Sequence, residues 1–200
     1  MPNTLPVMEA FYTIQGEGYN QGKAAFFIRL GGCDVGCVWC DVKESWPAEA
    51  HPQMSVDNLV ALSIATKAPN VVITGGEPSM YDLSLLTQAL QSHGLNIWIE
   101  SAGTSPLRGT FDWVCISPKK FKPVLRDNLE LADELKVVIY HKSDLKWAQE
   151  HAKKVKQNCV LYLQPEWSKE KEILPLIVDF VKAHPEWRIS LQTHKYMNIP

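Results

Sequence analysis

Three of the five cysteines lie within eight residues of one another, at Cys33, Cys37 and Cys40. The spacing Cys-x3-Cys-x2-Cys places soft thiolates on one loop, and thiolates are the usual ligands of iron–sulfur clusters. Such clusters commonly take four cysteines, so three would leave one iron open to a small chelating molecule. A zinc site with a remote fourth ligand, Cys115, Cys159 or a histidine, is the alternative. Because zinc sites more often show two separated Cys-x2-Cys pairs, the spacing favours a [4Fe–4S] cluster.

The segment Gly75-Gly-Glu-Pro78 is a second candidate, because it directly follows the apolar run at residues 71–74. Two glycines at the end of a strand let the backbone approach a ligand closely. Glycine and proline are also the usual residues of an ordinary strand–helix turn. Taken alone, the segment favours this simpler interpretation.

The rest of the chain predicts an α/β scaffold for these segments. Apolar, β-branched runs predict strands at residues 24–30, 70–74, 96–100, 113–117, 135–139, 159–164 and 188–191. Helical patterns lie between them at residues 55–67, 82–93, 143–156 and 168–184, three of which begin with a serine suited to cap the helix. This alternation predicts parallel βαβ units in a sheet or open barrel, with the site at the carboxyl ends of the strands. The unusual segments do follow strands, at residues 31–40, 75–78, 100–103, 117–119 and 164–165.

Composition narrows the class of protein. The 200 residues are enough for one domain, residues 1–200, and their net charge of −2 gives no basic excess that would favour a nucleic-acid partner. The apolar runs are too short to span a bilayer, and the N-terminus lacks the basic and apolar regions of a signal peptide. An odd number of cysteines, with three close together, differs from a secreted disulfide framework. We therefore expect a cytoplasmic protein.

The order strand, cysteine motif, helix, strand, Gly-Gly-Glu-Pro resembles the radical S-adenosylmethionine (SAM) superfamily. Further segments narrow the resemblance to the 7-carboxy-7-deazaguanine synthase family, from about Glu9 to Pro200. Two of them are specific to that family, Gln15-Gly-Glu-Gly18 and the terminal Gln192-Thr-His-Lys-Tyr-Met-Asn-Ile-Pro200. The others are Phe27-Ile-Arg-Leu30, Val38-Trp-Cys-Asp41, Ser117-Pro-Lys119 and Leu163-Gln-Pro165.

The resemblance implies a partial, open (β/α)6-type radical SAM barrel and a carbon–nitrogen lyase of queuosine and deazapurine biosynthesis. Such an enzyme converts 6-carboxy-5,6,7,8-tetrahydropterin to 7-carboxy-7-deazaguanine with loss of ammonia. The reduced cluster cleaves SAM to a carbon radical that takes hydrogen from C6 of the pterin, so no side chain is expected to act as the catalytic group. The resemblance also implies Mg²⁺, a reductant protein such as flavodoxin, and a homodimer.

The resemblance assigns site residues position by position. The segments expected to contact SAM contain Trp39, Cys40, Asp41, Gly76, Ser117, Pro118, Lys119, Gln164, Pro165, Glu166 and Trp167. The positions expected to contact the substrate are Ile14, Gln15, Gly16, Arg29, Thr74 and Pro200.

Arg29 also has a physical argument of its own. A charged side chain inside an apolar strand is costly unless it is paired, and a guanidinium can hold the carboxylate of the substrate through two hydrogen bonds. An ordinary ion pair between Arg29 and an acidic residue of the protein is the alternative.

One position departs from the family pattern. Members often carry Thr or Ser directly after the Cys-Asp pair, and its hydroxyl binds Mg²⁺, whereas this chain has Val42 there. Valine offers no oxygen to a hard cation. Asp41, Glu44 or Ser45 are the residues that could compensate, or substrate oxygens and water could suffice, so the magnesium ligand stays unassigned.

Two other functions are compatible with part of the pattern. Another radical SAM enzyme, such as an activating enzyme that makes a glycyl radical on a partner protein, would share the cysteine spacing without needing Arg29 or the two family-specific segments. A non-catalytic binding protein could use a metal-bound loop structurally. Cys115 and Cys159 lie in apolar runs and are expected to be buried structural thiols.

Overall fold

Nine strands form one mixed sheet in the computed structural model, which describes residues 3–200 and so leaves the first two residues of the predicted domain outside the described residues. The strands are β1 (Thr4–Ile14), β2 (Ala24–Leu30), β3 (Gln53–Ser55), β4 (Asn70–Gly75), β5 (Asn96–Ser101), β6 (Trp113–Ile116), β7 (Glu134–Ile139), β8 (Val160–Pro165) and β9 (Trp187–Ile189). Their order is β3-β1-β2-β4-β5-β6-β7-β8-β9. From β2 to β9 all neighbours are parallel, while β1 is antiparallel to both β2 and β3.

Helices connect most of the parallel strands. They are α1 (Val56–Ala65), α2 (Ser84–Ser92), α3 (Arg126–Leu131), α4 (Asp144–Ala152), α5 (Glu170–Ala183) and the terminal α6 (Thr193–Met197). The connection between β5 and β6 contains no α-helix. α2 buries Leu86 and Leu90, four residues apart on one face, and each contributes about 1.5–3 kcal/mol of burial free energy. No helix within residues 3–200 is long and apolar enough to cross a membrane.

The predicted α/β class is confirmed, and the sheet is an open, partial barrel whose edges are β3 and β9. The seven predicted strands and four predicted helices are present with shifted ends. Ser55 caps α1 by accepting a hydrogen bond from Asn58 N at 3.2 Å. The other two serine caps were wrong predictions. Ser143 makes no capping bond, and Ser168 lies in a short 3-10 turn (Trp167–Lys169) that precedes α5.

Alternation along the parallel strands determines which side chains reach the site. In β4, Val71 and Ile73 pack in the core beneath the helices, whereas Val72 and Thr74 face the inner side of the sheet. Each of the other long strands follows the same rule. The inner face near the carboxyl ends therefore carries Arg29, Thr74, Glu100, Lys136 and Gln164.

Candidate active site

Two adjoining cavities lie at the carboxyl ends of the parallel strands. The cysteine cavity is lined by the three cysteines of the motif, and the tail cavity is lined by Gln15 and Pro200. The side chains and backbone shared by both cavities belong to Glu17, Arg29, Asp41, Val42, Thr74, Glu100 and Gln192. Two ligands bound in these cavities would therefore be in contact with each other.

The loop after β2 brings the three cysteines to the cysteine cavity. Backbone bonds fold it against the following segment, with Gly32 N 2.7 Å from Ser45 O and Cys33 N 3.1 Å from Trp46 O. Cys37 is only 8% exposed. Burial raises the pKa of Cys37 to about 11 although nearby Lys119 opposes the shift, so this thiol keeps its proton unless a metal replaces it.

The other two cysteines lie elsewhere. Cys115 is buried on β6, and burial raises its pKa well above the usual value. Cys159 is half-buried before β8, and burial raises its pKa to about 12. Neither lines the cysteine cavity, and within residues 3–200 no histidine does so. Three thiolates without a fourth protein ligand suit a [4Fe–4S] cluster with one open iron and leave the zinc alternative without its fourth ligand.

The Gly-Gly-Glu-Pro segment joins three strand ends. A Cβ on Gly76 would lie 2.0 Å from Gly32 O, so glycine is required where the backbone meets the cysteine loop. Gly75 has a positive φ and would collide with Leu30 O in the same way. Glu77 is buried, and its backbone N–H donates a hydrogen bond to Gly32 O. Its side-chain Oε2 accepts a hydrogen bond from Ala102 N at 2.7 Å. The segment is thus more than an ordinary turn, because it fixes the cysteine loop against β4 and β5.

The segments assigned to SAM surround the cysteine cavity. Lys119 Nζ donates to Ser117 O and Oγ at 2.5 and 2.6 Å and lies 6.0 Å from the centre of the Trp39 ring. Burial lowers the pKa of Lys119. The cavity is also lined by Cys40, Asp41, Gly76, Gln164, Pro165, Glu166 and Trp167. Pro118 is the exception, since it lines neither cavity.

The positions assigned to the substrate meet at the tail cavity. Gln15 Nε2 donates to Glu100 Oε1 at 3.1 Å, and Thr13 Oγ1 donates to Pro200 O at 3.2 Å. A Cβ on Gly16 would lie 2.3 Å from His194 Nδ1, so glycine is required where the tail packs. Ile14, Gln15, Gly16, Arg29, Thr74 and Pro200 all line this cavity.

Arg29 makes an ion pair within the protein and also faces both cavities. Its Nε lies 2.5 Å from Oε1 of Glu9, which is the protein ion pair considered as the alternative. Among residues 3–200 its remaining guanidinium N–H groups have no hydrogen-bond partner, and the side chain lines both cavities. Glu9 therefore orients the guanidinium while leaving donors available for a ligand carboxylate.

Sequence reasoning missed a charged group at the floor of the site. Lys136 pairs with Glu17 at 2.6 Å and with Glu100 at 2.7 Å, and Gln192 Nε2 donates to Glu17 Oε1 at 2.9 Å. One signal was available, because Lys136 lies in an apolar strand as Arg29 does, and the same physical argument applies to it.

Around Val42 the structure supplies few oxygen ligands for Mg²⁺. Asp41 Oδ2 lies 2.7 Å from Nζ of Lys195, so an ammonium already pairs with this carboxylate. Ser45 is buried and donates its hydroxyl to Val42 O at 2.7 Å, and Glu44 lines neither cavity. Of the three residues that could compensate for Val42, only Asp41 reaches the cavities, so the donor set does not fit a protein-held Mg²⁺ ion.

The sequence matches the radical SAM superfamily over residues 27–158. It is 56% identical over 197 residues to the 7-carboxy-7-deazaguanine synthase of Flavobacterium psychrophilum, covering 98% of this chain and 93% of that protein. The synthase of Synechocystis is 46% identical over 196 residues, with coverage of 98% and 94%. The synthase of Escherichia coli K12 is 36% identical over 221 residues, with coverage of 97% and 98%.

The fold is also similar to a solved structure. The crystal structure of QueE from Escherichia coli superposes with a TM-score of 0.84 at 34% sequence identity, and the match covers 94% of this chain and 93% of that one.

Proposed function

The chain belongs to the 7-carboxy-7-deazaguanine synthase family of the radical SAM superfamily, and on this premise we propose how its cavities divide between cluster, SAM and pterin. The family predicted from the motifs is confirmed, and the chain is a radical SAM carbon–nitrogen lyase of queuosine biosynthesis. Its reaction converts 6-carboxy-5,6,7,8-tetrahydropterin to 7-carboxy-7-deazaguanine with loss of ammonia. The main support for placing the cofactors in one cavity and the pterin in the other is that the two cavities adjoin and share seven lining residues.

The cysteine cavity holds the cofactors in this proposal. When bound, the [4Fe–4S] cluster and SAM supply the carbon radical that takes hydrogen from the pterin. Cys33, Cys37 and Cys40 bind the cluster. The segments assigned to SAM orient it there, among them Lys119, whose ammonium lies next to the Trp39 ring.

The tail cavity holds the pterin. Arg29, oriented by Glu9, holds its carboxylate with the guanidinium N–H groups that face the cavity. Thr74 lies between the two cavities and Gln15 beside Glu100. The terminal carboxylate of Pro200 accepts hydrogen bonds from the guanidine-like edge of the pterin. Given the donor set around Val42, we propose that Mg²⁺, where it binds, is held mainly by substrate oxygens and water.

An acidic reductant protein such as flavodoxin would find a suitable surface beside the cysteine loop. Val38, between two of the cysteines, is 67% exposed, and Phe121 is 40% exposed next to Trp39. Lys119 lies beside Trp39, and Lys122 pairs with Asp34 of the cysteine loop, so two lysines adjoin this surface. An exposed apolar centre with a basic surround favours docking of a negatively charged partner.

This docking surface has a direct test. Val38→Glu should slow reduction by flavodoxin while leaving reduction by dithionite unchanged, because only the protein donor must dock. Val178→Glu, at a 37% exposed apolar position on α5, is the control. Equal rates with flavodoxin for both variants would place the docking surface elsewhere.

The cellular location and the oligomeric state are inferred from the resemblance to the family. We propose a cytoplasmic homodimer, and the five unpaired cysteines are consistent with a reducing compartment. Light scattering of the reconstituted protein would measure the oligomeric state.

The function is tested by anaerobic reconstitution. The brown protein, mixed with SAM, dithionite and the pterin, should form the deazaguanine with its distinct ultraviolet spectrum. SAM cleavage without deazaguanine would favour an activating enzyme, and neither product would favour a non-catalytic metal-loop protein. The full-length relatives already favour the synthase over both alternatives.

A further inference from the structure

Lys136 is a buried cation beneath the floor of the two cavities. Its side chain is 4% exposed, and its Nζ touches both Glu17 Oε2 and Glu100 Oε2. The second oxygen of each carboxylate is also bonded, to Gln192 Nε2 and Gln15 Nε2 respectively. Each carboxylate is therefore fixed by two contacts.

The two carboxylates are close enough to interact strongly. Because both touch one nitrogen, the paired oxygens lie within about 5.3 Å of each other. Two carboxylates at such a distance tend to share one proton unless a cation lies between them. Burial raises the pKa of Glu17, but the Lys136 ammonium outweighs this and lowers it to about 2.

A third carboxylate lies behind the lysine, away from the cavities. Glu134 is 2% exposed, and its Oε2 accepts Trp113 Nε1 at 2.9 Å and Tyr19 N at 3.2 Å. Its Oε1 has no partner among the described residues. Burial raises the pKa of Glu134 to about 7 in spite of Lys136, so this acid keeps a proton more readily than Glu17.

The other titratable groups around the pair are few. The ionisable side chains that most affect Lys136 and Glu17 include Cys115, Lys119, Glu134 and His194. Arg29 and Asp41 line the same two cavities as Glu17 and Glu100. Burial raises the pKa of Cys115 and lowers that of His194, so both are neutral near neutral pH. The other cations of the two cavities have contacts elsewhere. Lys119 lies beside Trp39 on the SAM side, Arg29 pairs with Glu9, and Lys195 pairs with Asp41. Lys136 is thus the cation that balances the two cavity carboxylates.

We propose that Lys136 is a positioning residue that pairs with Glu17 and Glu100 at once and so fixes both carboxylates as hydrogen-bond acceptors for N–H groups of the bound reduced pterin. The inference rests on the proposed function for the identity of the ligand. Ionised acceptors make stronger hydrogen bonds than neutral ones, and a tetrahydropterin carries several ring and amino N–H donors. The lysine acts through the two glutamates, so it sets substrate affinity rather than the radical chemistry.

The test compares pH profiles of the holoenzyme. With Lys136 present, the pKa of Glu17 is about 2 and both carboxylates pair with the ammonium, so kcat/KM should show no fall from this pair as the pH is lowered toward 6. In Lys136→Met the two carboxylates share a proton, so kcat/KM should fall with decreasing pH in that range. At neutral pH, KM for the pterin should rise roughly tenfold or more from the loss of a charge-assisted bond. Cluster absorbance and uncoupled SAM cleavage should stay unchanged.

Two further variants separate this role from a structural one. Lys136→Arg restores the charge and should restore the flat profile. Glu134→Gln removes an acid that faces the lysine outside the cavities and should leave KM and the profile unchanged. A wild-type KM and a flat profile in Lys136→Met would overturn the proposal, as would a fall in kcat/KM across the neutral range in Glu134→Gln alone.

The role of Lys136 can be tested even if the Lys136→Met variant does not fold. If Lys136→Met loses its cluster, Glu100→Gln takes its place, because the amide mimics a protonated Glu100 while the lysine is retained. It should raise KM by the same factor at every pH, and an unchanged KM would overturn the proposal. Deazaguanine formation by the unaltered protein shows separately whether the proposed function holds.

Discussion

Substitution of Gly76 by alanine tests how the cysteine loop is held. The added Cβ would lie 2.0 Å from Gly32 O, 2.5 Å from Gly32 C and 3.0 Å from Cys33 Cβ. Two of these atoms belong to the backbone, so a side-chain rotation cannot relieve the contact. The loop that carries the first cysteine must move away from β4, and Glu77 N would lose its 2.8 Å bond to Gly32 O.

Gly76→Ala lowers the free energy of unfolding through two contributions. Overpacking of a close contact costs about 1–3 kcal/mol, and a lost backbone hydrogen bond adds about 0.5–1.5 kcal/mol. A chain of this size loses about 2–4 °C in Tm per kcal/mol, so the protein should remain folded at room temperature. The cluster is more sensitive, because its ligands must keep their relative positions within a fraction of an ångström. Gly76→Ala should therefore be a folded protein that does not hold the cluster.

Gly36→Ala is the matched control. Gly36 lies in the cysteine loop itself, between Cys33 and Cys37. Its φ is +73°, and a Cβ there would meet nothing within 4 Å. Its cost is the left-handed backbone alone, about 1–2 kcal/mol. Iron content, visible absorbance after anaerobic reconstitution and thermal unfolding should be measured for both variants. We expect both variants to fold, with the larger loss in Tm in Gly76→Ala and the cluster lost only there. A full iron complement in Gly76→Ala would refute the argument from the close contact.

Three other perturbations follow from the site. Alanine at any one of the three motif cysteines should abolish visible absorbance and SAM cleavage, whereas Cys115→Ala and Cys159→Ala should keep both; bleaching in Cys115→Ala would point to a four-thiolate site. Val42→Thr should increase the stimulation of turnover by Mg²⁺ over that of the unaltered protein, and a strong, saturable Mg²⁺ requirement without the substitution would contradict this. Removal of Pro200, or a C-terminal tag, should weaken pterin binding by about 1–3 kcal/mol while cluster and uncoupled SAM cleavage survive; unchanged KM and kcat would leave the tail a packing role only.

The parallel strands could be predicted because each is buried on both faces and therefore reads as an apolar run. β1 could not be found in the same way. It pairs antiparallel with β2 and contains Pro6, a bulge and alternating exposure, so its eleven residues show no continuous apolar run. α3 and α6 were missed because they have only six and five residues, too few to show a helical period.

A single residue of the site could be predicted where its type is unusual for its position, such as a charged residue in an apolar strand. The ion-pair partner of such a residue could not be predicted. Arg29 was recognised from a charge in an apolar strand, although its partner Glu9 was not. Lys136 carries the same signal, but its importance depends on Glu17, which is 119 positions away. Sequence patterns of helices and strands describe local order, whereas this ion pair exists only because β7 and the loop after β1 meet across the sheet.

The two segments specific to the family are parts of one structural unit, although about 175 residues separate them. Thr193 donates both its N–H and its hydroxyl to Gly16 O at 2.9 Å, and the His194 ring occupies the space that a side chain on residue 16 would need. Gln192 reaches Glu17 from the same turn. The loop at residues 15–18 thus holds the start of α6, and α6 in turn sets where the chain ends. Neither segment can keep this geometry without the other, and residues of both line the tail cavity.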